Sequence, residues 1–347
     1  MRFYNEQRPF YCGVDLHART MYLCILDRDG NVVLHKNIKT QPAALLRAVE
    51  PFREGLVIGC ECMFAWYWLA DLCAEEGIEF VLGHALYMGA IHGGKSKNDR
   101  IDSEKIARLI RGGTFPLSYV YPAQMRSTRD LMRRRMYLMR RRSELLAHIH
   151  MTYQQYNLDC PARRLRYAGN REGLADPFED GSVKKMMAVD VAVIDQLDKL
   201  INDLELFIVR HAKVHDGQTF YLLRSVPGIG KVLALILMYE IHNIRRFGSV
   251  GDFVSYCRLV KCSHSSAGKI SGSGGRKIGN AFLRWAFGEA VCLLIRQLPQ
   301  AKRWIDRKEK KYGKGKALSL LAAKLGRAVY WMLRREEVFN VEKFFQD

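Results

Sequence analysis

The chain has 347 residues, of which 48% are hydrophobic and 26% are charged, a balance typical of a soluble globular protein of about two domains. Lysine and arginine total 55 against 36 acidic residues, so the formal net charge is +19 and nucleic acid is the expected partner. The longest fully apolar run, residues 232–239, is far shorter than the ~20 residues of a membrane span, which argues against a membrane protein.

Cysteine usage predicts a reducing cytoplasm. The nine cysteines form no CxxC pair, and no apolar stretch typical of a signal peptide follows the first charged residues. Cys257, Cys262 and His264 are the one metal-like cluster, but a fourth ligand at zinc spacing is missing.

The segment from residue 1 to 121 alternates strands and helices. The pattern predicts strands at 10–17, 20–27, 31–38, 56–61 and 78–83, and helices at 42–52 and 64–77. Asp29-Gly30 predicts a hairpin turn between the second and third strands. Antiparallel strands followed by βαβ units predict a ribonuclease H-like α/β domain rather than a dinucleotide-binding fold, because the glycine-rich first turn is absent.

Residues 122–217 predict a helical coiled-coil hairpin. Leu131, Leu138 and Leu145 recur every seven residues in the first helix. The seam of the second helix consists of Met187, Ile194, Leu197, Ile201, Leu204 and Ile208, and it packs either within one chain or between two. The first helix also carries an arginine face that predicts nucleic-acid contacts, formed by Arg126, Arg129, Arg133, Arg134, Arg135, Arg140, Arg141 and Arg142.

Four carboxylates are placed to meet at one edge of the predicted sheet. Asp15 and Glu61 end two strands, while Asp99 and Asp102 lie one turn apart at a helix start. Such carboxylates repel each other without a counter-ion, and two Mg²⁺ ions about 4 Å apart, with Mn²⁺ as a substitute, supply one. The set predicts a catalytic two-metal site; taken singly, Asp15 is compatible with a turn and Asp99 and Asp102 with helix capping.

The helical region 218–347 contains the segment PGIG at 227–230. Gly228 and Gly230 precede a helix that begins with Lys231, a pattern typical of a helix-hairpin-helix element that approaches phosphates through backbone N–H groups. A turn between packed helices has the same sequence, so both interpretations stay open.

A serine-rich segment follows at residues 265–280. It contains the cations Lys269, Arg276 and Lys277 and no acidic residue. From composition alone it is a basic loop that binds the nucleic-acid backbone, because a serine hydroxyl is a poor nucleophile unless a base or cations activate it.

The order of GVDLH, GCE, KNDRID, PGIG and SYCRLVKCSHSSAGKISGSGGRKIGNAFLRWA resembles the DEDD insertion-sequence transposases related to the Piv site-specific invertases, described as bridge-RNA-guided serine recombinases. The resemblance covers most of the chain. It implies that the four carboxylates are the metal-binding quartet and that Ser266 forms a phosphoserine link to DNA. Ser265 is a rival, because Ala267 stands where the family has Gly and residues 256–259 read Tyr-Cys-Arg-Leu rather than Tyr-x-Gly-Leu.

The resemblance also implies the partners. These are target and donor DNA, a non-coding bridge RNA, and further copies of the chain, with dimers assembling into a tetramer at the bacterial nucleoid and the quartet of another protomer completing the site. Two alternatives stay open: a metal-dependent junction resolvase or invertase that acts without RNA, and a non-catalytic nucleic-acid-binding protein.

Overall fold

The computed structural model describes residues 2–91, 98–161, 163–260, 264–266, 269–272 and 278–346. The chain divides into two compact units, Met1–Ala123 and Gln124–Asp347. The first unit is a mixed α/β structure and the second is almost entirely helical.

The elements of the first unit, in chain order, are β1 (Phe3–Tyr4), β2 (Phe10–Leu16), β3 (Thr20–Asp27), β4 (Val32–Lys39), α1 (Pro42–Val49), β5 (Leu56–Glu61), α2 (Trp66–Glu75), β6 (Glu79–Gly83), α3 (Ala85–Ile91), α4 (Asp99–Arg111) and β7 (Phe115–Pro116). Those of the second unit are α5 (Ala123–Gln155, starting at the boundary residue), α6 (Gly181–Arg224), α7 (Lys231–Ile241), α8 (Val250–Tyr256), β8 (His264–Ser266), β9 (Lys269–Gly272), α9 (Ala281–Gln297), α10 (Pro299–Tyr312), α11 (Lys314–Arg335) and α12 (Val341–Phe345). The strands and helices predicted between residues 10 and 83 are confirmed, with bounds within three residues.

The main sheet of the first unit has five strands in the order β4-β3-β2-β5-β6. The β2–β3 and β3–β4 pairs are antiparallel, whereas β5 pairs in parallel with both β2 and β6. Side chains alternate between the two faces of a strand, so β2 contributes to two cores. Val14 packs with α1 and α2 on one face, and Tyr11 packs with Ile106 and Ile110 of α4 on the other.

Two paired glycines let α4 lie directly against the sheet. Gly13 of β2 and Gly59 of β5 are partners in the parallel register. A Cβ atom at Gly13 would lie 2.1 Å from the Ser103 carbonyl oxygen and 2.4 Å from the Ala107 nitrogen of α4. A Cβ atom at Gly59 would lie 2.5 Å from the Ile110 side chain. The start of α4, which carries two of the predicted acids, is therefore held close to the carboxyl ends of β2 and β5.

The helices α5 and α6 pair antiparallel within one chain. Arg135 contacts Glu205, Arg142 contacts Asp198 and His148 contacts Asp190, so the α6 partner comes earlier in the chain as the α5 residue comes later. The predicted seam is buried in this pairing: Met187, Ile194 and Ile208 are fully buried and Ile201 is 3% exposed. Of the two arrangements left open by the sequence, the structure has the one within a single chain.

One residue interrupts the long helix α6. Asp216 has φ −162° and ψ 80°, outside the helical range, and its carboxylate accepts a hydrogen bond from the Thr219 N–H at 2.9 Å. This is the geometry of a helix N-cap, so a new helix begins after Asp216.

The apolar helix α7 lies in the core of the second unit. Residues 233–241 are all buried, as expected for a helix that is hydrophobic on every side. Glu240 is the single charged residue among them. Among the described residues, no helix is both long and apolar enough to cross a membrane.

Replacing Gly13 with Ala should separate α4 from the sheet, because the new methyl group overlaps backbone atoms that cannot rotate away. We expect a loss of about 2–3 kcal/mol in the free energy of unfolding, measured by urea denaturation of the isolated variant. Gly89→Ala is the matched control: a Cβ atom at this exposed position of α3 meets nothing within 4 Å, so stability should be unchanged or rise. Equal stability of wild type and Gly13→Ala would contradict the close packing.

Candidate functional site

An acidic site forms where β2 ends and α4 begins. Asn98 caps α4 by accepting a hydrogen bond from the Ile101 N–H at 2.8 Å, which fixes Asp99 and Asp102 in the first turn. The His17 Nε2 atom lies 3.3 Å from the Asp15 Oδ2 atom and 3.6 Å from the Asp99 Oδ1 atom. One ligand atom from each of Asp15, His17 and Asp99 lies within 4.8 Å of the others, close enough to hold one metal ion.

Electrostatic crowding at the site favours a bound cation. Burial raises the pKa of the Asp15 carboxyl, His17 lowers it by charge and hydrogen bonding, and the negative charges of Asp99 and Asp102 raise it further. Asp102 is partly neutralised by Lys105, whose Nζ atom lies 3.3 Å from Oδ1. A metal ion would relieve the repulsion between the carboxylates, so the donor set fits a divalent cation.

Glu61 lies on the same face of the sheet as Asp15. Val14 pairs with Cys60 in the parallel register, so Asp15 and Glu61 both follow the last paired residues of their strands. Each also lies two residues beyond a glycine that faces α4. Glu61 is half-buried, but the structure does not bring it into the three-residue group.

His17 was missed by the sequence interpretation, which considered carboxylates alone. A signal was present, because residues two apart on a strand share a face and His17 follows Asp15 at that spacing. The strand ends at Leu16, yet the His17 N–H still donates to the Thr20 carbonyl at 3.2 Å, which keeps the residue at the sheet edge.

The serine segment includes a short hairpin. β8 pairs antiparallel with β9, and the register places Ser265 opposite Ile270 and Ser266 opposite Lys269. Arg276, Lys277 and Cys262 lie outside the described residues, and so do the side chains of the hairpin. Of Cys257, Cys262 and His264, Cys257 alone has a described side chain; it is fully buried, and burial raises its pKa.

The two ends of the serine segment are tied together. Arg258, at φ 54°, donates from Nε to the carbonyls of Ile278 and Gly279 at 2.8 and 3.0 Å. The Asn280 N–H donates to the Tyr256 carbonyl at 2.6 Å. Gly279 has φ 90°, and a Cβ atom there would lie 2.6 Å from the same carbonyl. Residues 256–258 and 278–280, which lie on either side of the hairpin in sequence, are therefore held together.

In the PGIG segment, Gly228 is used for internal packing. It is buried at φ 92°, and a Cβ atom there would lie 2.6 Å from the Leu294 nitrogen of α9. The close approach of α9 is sufficient reason for a glycine at position 228. Gly228 therefore fits the alternative of a turn between packed helices and does not require a nucleic-acid ligand. Gly230 and Lys231 are exposed at the start of α7 and stay available for binding.

Five of the eight arginines predicted to contact nucleic acid are engaged inside the protein. Arg126, Arg129 and Arg135 are buried, and Arg133 and Arg142 are half-buried in ion pairs with Glu240 and Asp198. These five do not form an exposed interface, because four of them pair with carboxylates distant in sequence and Arg126 is buried. The remaining members of the face, Arg134, Arg140 and Arg141, are exposed.

The exposed arginines lie beside aromatic rings. Arg134 and Arg141 lie 5.4 and 5.1 Å from the ring centre of Tyr137, which is 45% exposed. Arg141 also pairs with Glu144 at 2.7 Å. A tyrosine between two guanidinium groups is an arrangement suited to stacking on bases.

Residues 12–158 match a family model for the DEDD transposase of IS110 elements, and residues 221–305 match one described as the transposase IS116/IS110/IS902 family. The chain is also 24% identical over 289 residues to the transposase for insertion sequence element IS1111A of Coxiella burnetii, covering 82% of this chain and 78% of that protein. The first match contains the four carboxylates, and the second contains Ser265 and Ser266. The DEDD match indicates the use of a divalent metal.

Adding Mn²⁺ or Mg²⁺ should raise the melting temperature of the wild type, because binding to the folded state at tenfold excess over Kd adds about 1.4 kcal/mol. Asp99→Asn should abolish this rise, while its stability without metal stays the same or increases since one repelling charge is gone. Asp29→Asn, an exposed control, should keep the full metal effect. A metal-induced rise that survives in Asp99→Asn would rule out this site.

Proposed function

We propose that this chain is a DEDD insertion-sequence transposase of the IS110 family, which cuts and rejoins target and donor DNA through a serine–phosphate link, guided by a non-coding RNA. The observation that carries the proposal is the convergence of Asp15, His17 and Asp99 on one point at the sheet edge. A transposase needs such a site for phosphoryl transfer, which consists mainly of positioning and charge stabilisation.

We assign the first unit to the ribonuclease H-like class. Support comes from the strand order, in which three antiparallel strands are followed by two parallel ones, and from the acids at the carboxyl ends of the central strands. We also propose three functional regions, 1–121, 122–217 and 218–347. The paired long helices and the break at Asp216 support the last boundary.

We propose that Asp15, Glu61, Asp99 and Asp102 hold Mg²⁺, or Mn²⁺ in its place, with His17 beside them. The metal would supply charge neutralisation at a phosphate and polarise its oxygens. Asp15 and Glu61 are positioned by neighbouring strands and Asp99 and Asp102 by one helical turn, so the site depends on the packing of α4 against Gly13 and Gly59. His17 orients Asp15 by hydrogen bonding at 3.3 Å.

We propose Ser266, or its neighbour Ser265, as the nucleophile. The serine oxygen bonds to a DNA phosphorus as one bridging P–O bond of the strand breaks, and the departing DNA oxygen takes up a proton. The phosphodiester is replaced by a phosphoserine ester, so a second DNA oxygen can reverse the exchange without an external energy source. Lys269, Arg276 and Lys277 would stabilise charge on the phosphate.

The proposed guide is a non-coding RNA that pairs with both DNAs. Support comes from the net charge of +19 and the exposed group formed by Arg134, Arg140, Arg141 and Tyr137. Exchange between two duplexes requires four strand ends to be held together, so we propose dimers that assemble into a tetramer on DNA at the nucleoid.

Protein purified without nuclease should carry a discrete RNA, identified by sequencing. Replacing Arg134, Arg140 and Arg141 with Ala should reduce the retained RNA and flatten the dependence of log K on log salt by up to about 2 for single strands, at about 0.7 per phosphate contact. Replacing the exposed lysines Lys184, Lys185 and Lys199 with Gln is the charge-matched control. A heterogeneous RNA population that is unchanged in the arginine variant would contradict the guide.

A covalent protein–DNA band on a denaturing gel tests the serine. Ser266→Ala should abolish the band, Ser265→Ala should retain it, and Ser271→Ala serves as a control in the same hairpin. Loss only in Ser265→Ala would move the role by one residue; a band that persists in the double variant would leave a metal-dependent resolvase or invertase as the function.

The recombination assay also tests the acidic site: Asp15→Asn should stop recombination while the protein stays folded.

A further inference from the structure

The helix α11 carries uncompensated positive charge. Its 22 residues contain six cations and no acidic residue. Nearby carboxylates are engaged elsewhere, Asp306 with Lys302 and Glu336 with Arg245. Within the described part of the chain, none of the six α11 cations forms an ion pair, in contrast to the arginines of α5. Four of the six α11 cations are exposed, so α11 presents positive charge at the surface in addition to the three exposed arginines of α5.

The exposed side of α11 carries both cations and apolar side chains. Its inner side is buried by residues such as Leu321, Leu325 and Val329. Residues three or four positions apart share one face of a helix. On the outer face of α11, exposed cations and exposed apolar side chains follow one another at this spacing. We call this surface the α11 track; it consists of Lys316, Leu320, Arg327, Trp331 and Arg335 of α11, together with Tyr312, the last residue of α10, whose ring lies beside Lys316.

Each end of the α11 track has an aromatic ring next to a cation. Tyr312, at the turn between α10 and α11, is 37% exposed and has the Lys316 ammonium 4.7 Å from its ring centre. Trp331 is 45% exposed and has the Arg335 guanidinium 5.0 Å from its ring centre. Lys316 and Arg335 are 19 positions apart, which corresponds to about 28 Å along the helix.

We propose that the α11 track binds a single-stranded segment of nucleic acid, with the cations on the phosphates and Tyr312 and Trp331 stacked on unpaired bases. Exposed aromatic rings alternating with cations suit a strand whose bases are free to stack, whereas the bases of a duplex are already stacked on each other. A second copy of the chain fits less well, because two acid-free tracks would repel each other. The inference extends the proposed function to a surface remote in sequence from the acidic site and the serine segment.

Fluorescence anisotropy in EDTA tests the track, since binding is then measured without cleavage and independently of the catalytic proposal. The probes are labelled 20-nucleotide single strands of DNA and RNA of one sequence, and the duplex DNA. Replacing Lys316, Arg327 and Arg335 with Gln should flatten the salt dependence for single strands by about 2. The variant with Lys184, Lys185 and Lys199 changed to Gln removes the same charge from α6 and should leave the slope unchanged.

Replacing Tyr312 and Trp331 together with Ala should weaken single-strand binding at least about tenfold at constant slope, with little change for the duplex. The matching Phe variants should restore it, and the strand with the larger loss identifies DNA or RNA as the ligand. The proposal is overturned if the α11 charge variant behaves like the α6 control, if the Ala variant weakens duplex and single strands equally, or if the Phe variants bind as weakly as Ala.

Discussion

The second unit is organised around one buried carboxylate. Glu240 is 2% exposed, and it accepts hydrogen bonds from Arg129 and Arg133 of α5 and from the Asn280 side chain at 2.7 Å. Burial alone would raise the pKa of Glu240, but the hydrogen bonds and charges of these partners lower it below its usual value. A buried pair adds little net stability, whereas loss of one partner leaves an unpaired charge at a cost of about 3–5 kcal/mol. The arrangement therefore determines that α5, α7 and the start of α9 pack together, and it adds little to the free energy of unfolding.

The same carboxylate reaches the serine segment through one residue. Asn280 donates to Glu240 and also caps α9, accepting from the Phe282 and Leu283 N–H groups. Its own N–H donates to the carbonyl of Tyr256, which precedes the serine segment. The position of α5 and the base of the serine segment are thus set by a common partner, although the residues involved span more than 150 positions in sequence.

The sequence predicted the local features well because they depend on neighbours in the chain. The strands around Asp15, the helix start at Asp99 and Asp102, and the α6 seam all follow from hydrophobic period and turn chemistry, but the residue that caps α4 is Asn98 rather than either aspartate. The arginine face of α5 could not be assigned in the same way: Arg133 and Arg134 are adjacent and chemically identical, and only Glu240, over 100 residues later, makes one internal. The same limit applies to Glu61. The strand pattern correctly places it on the same face of the sheet as Asp15, but the pattern does not show whether its side chain reaches Asp15, His17 and Asp99.

The break at Asp216 gives the long helical hairpin a defined joint. The 35 residues of α6 before it form a rod of about 52 Å, and the short helix after it belongs to the C-terminal core. The rod also packs on the core before the break, because Ile208 and Ala212 lie in the same hydrophobic cluster as α7 and the His215 Nδ1 atom lies 2.9 Å from the Tyr239 hydroxyl. Asp216 therefore redirects the chain without releasing the hairpin, whose base is held to the core by side-chain packing as well as by the backbone.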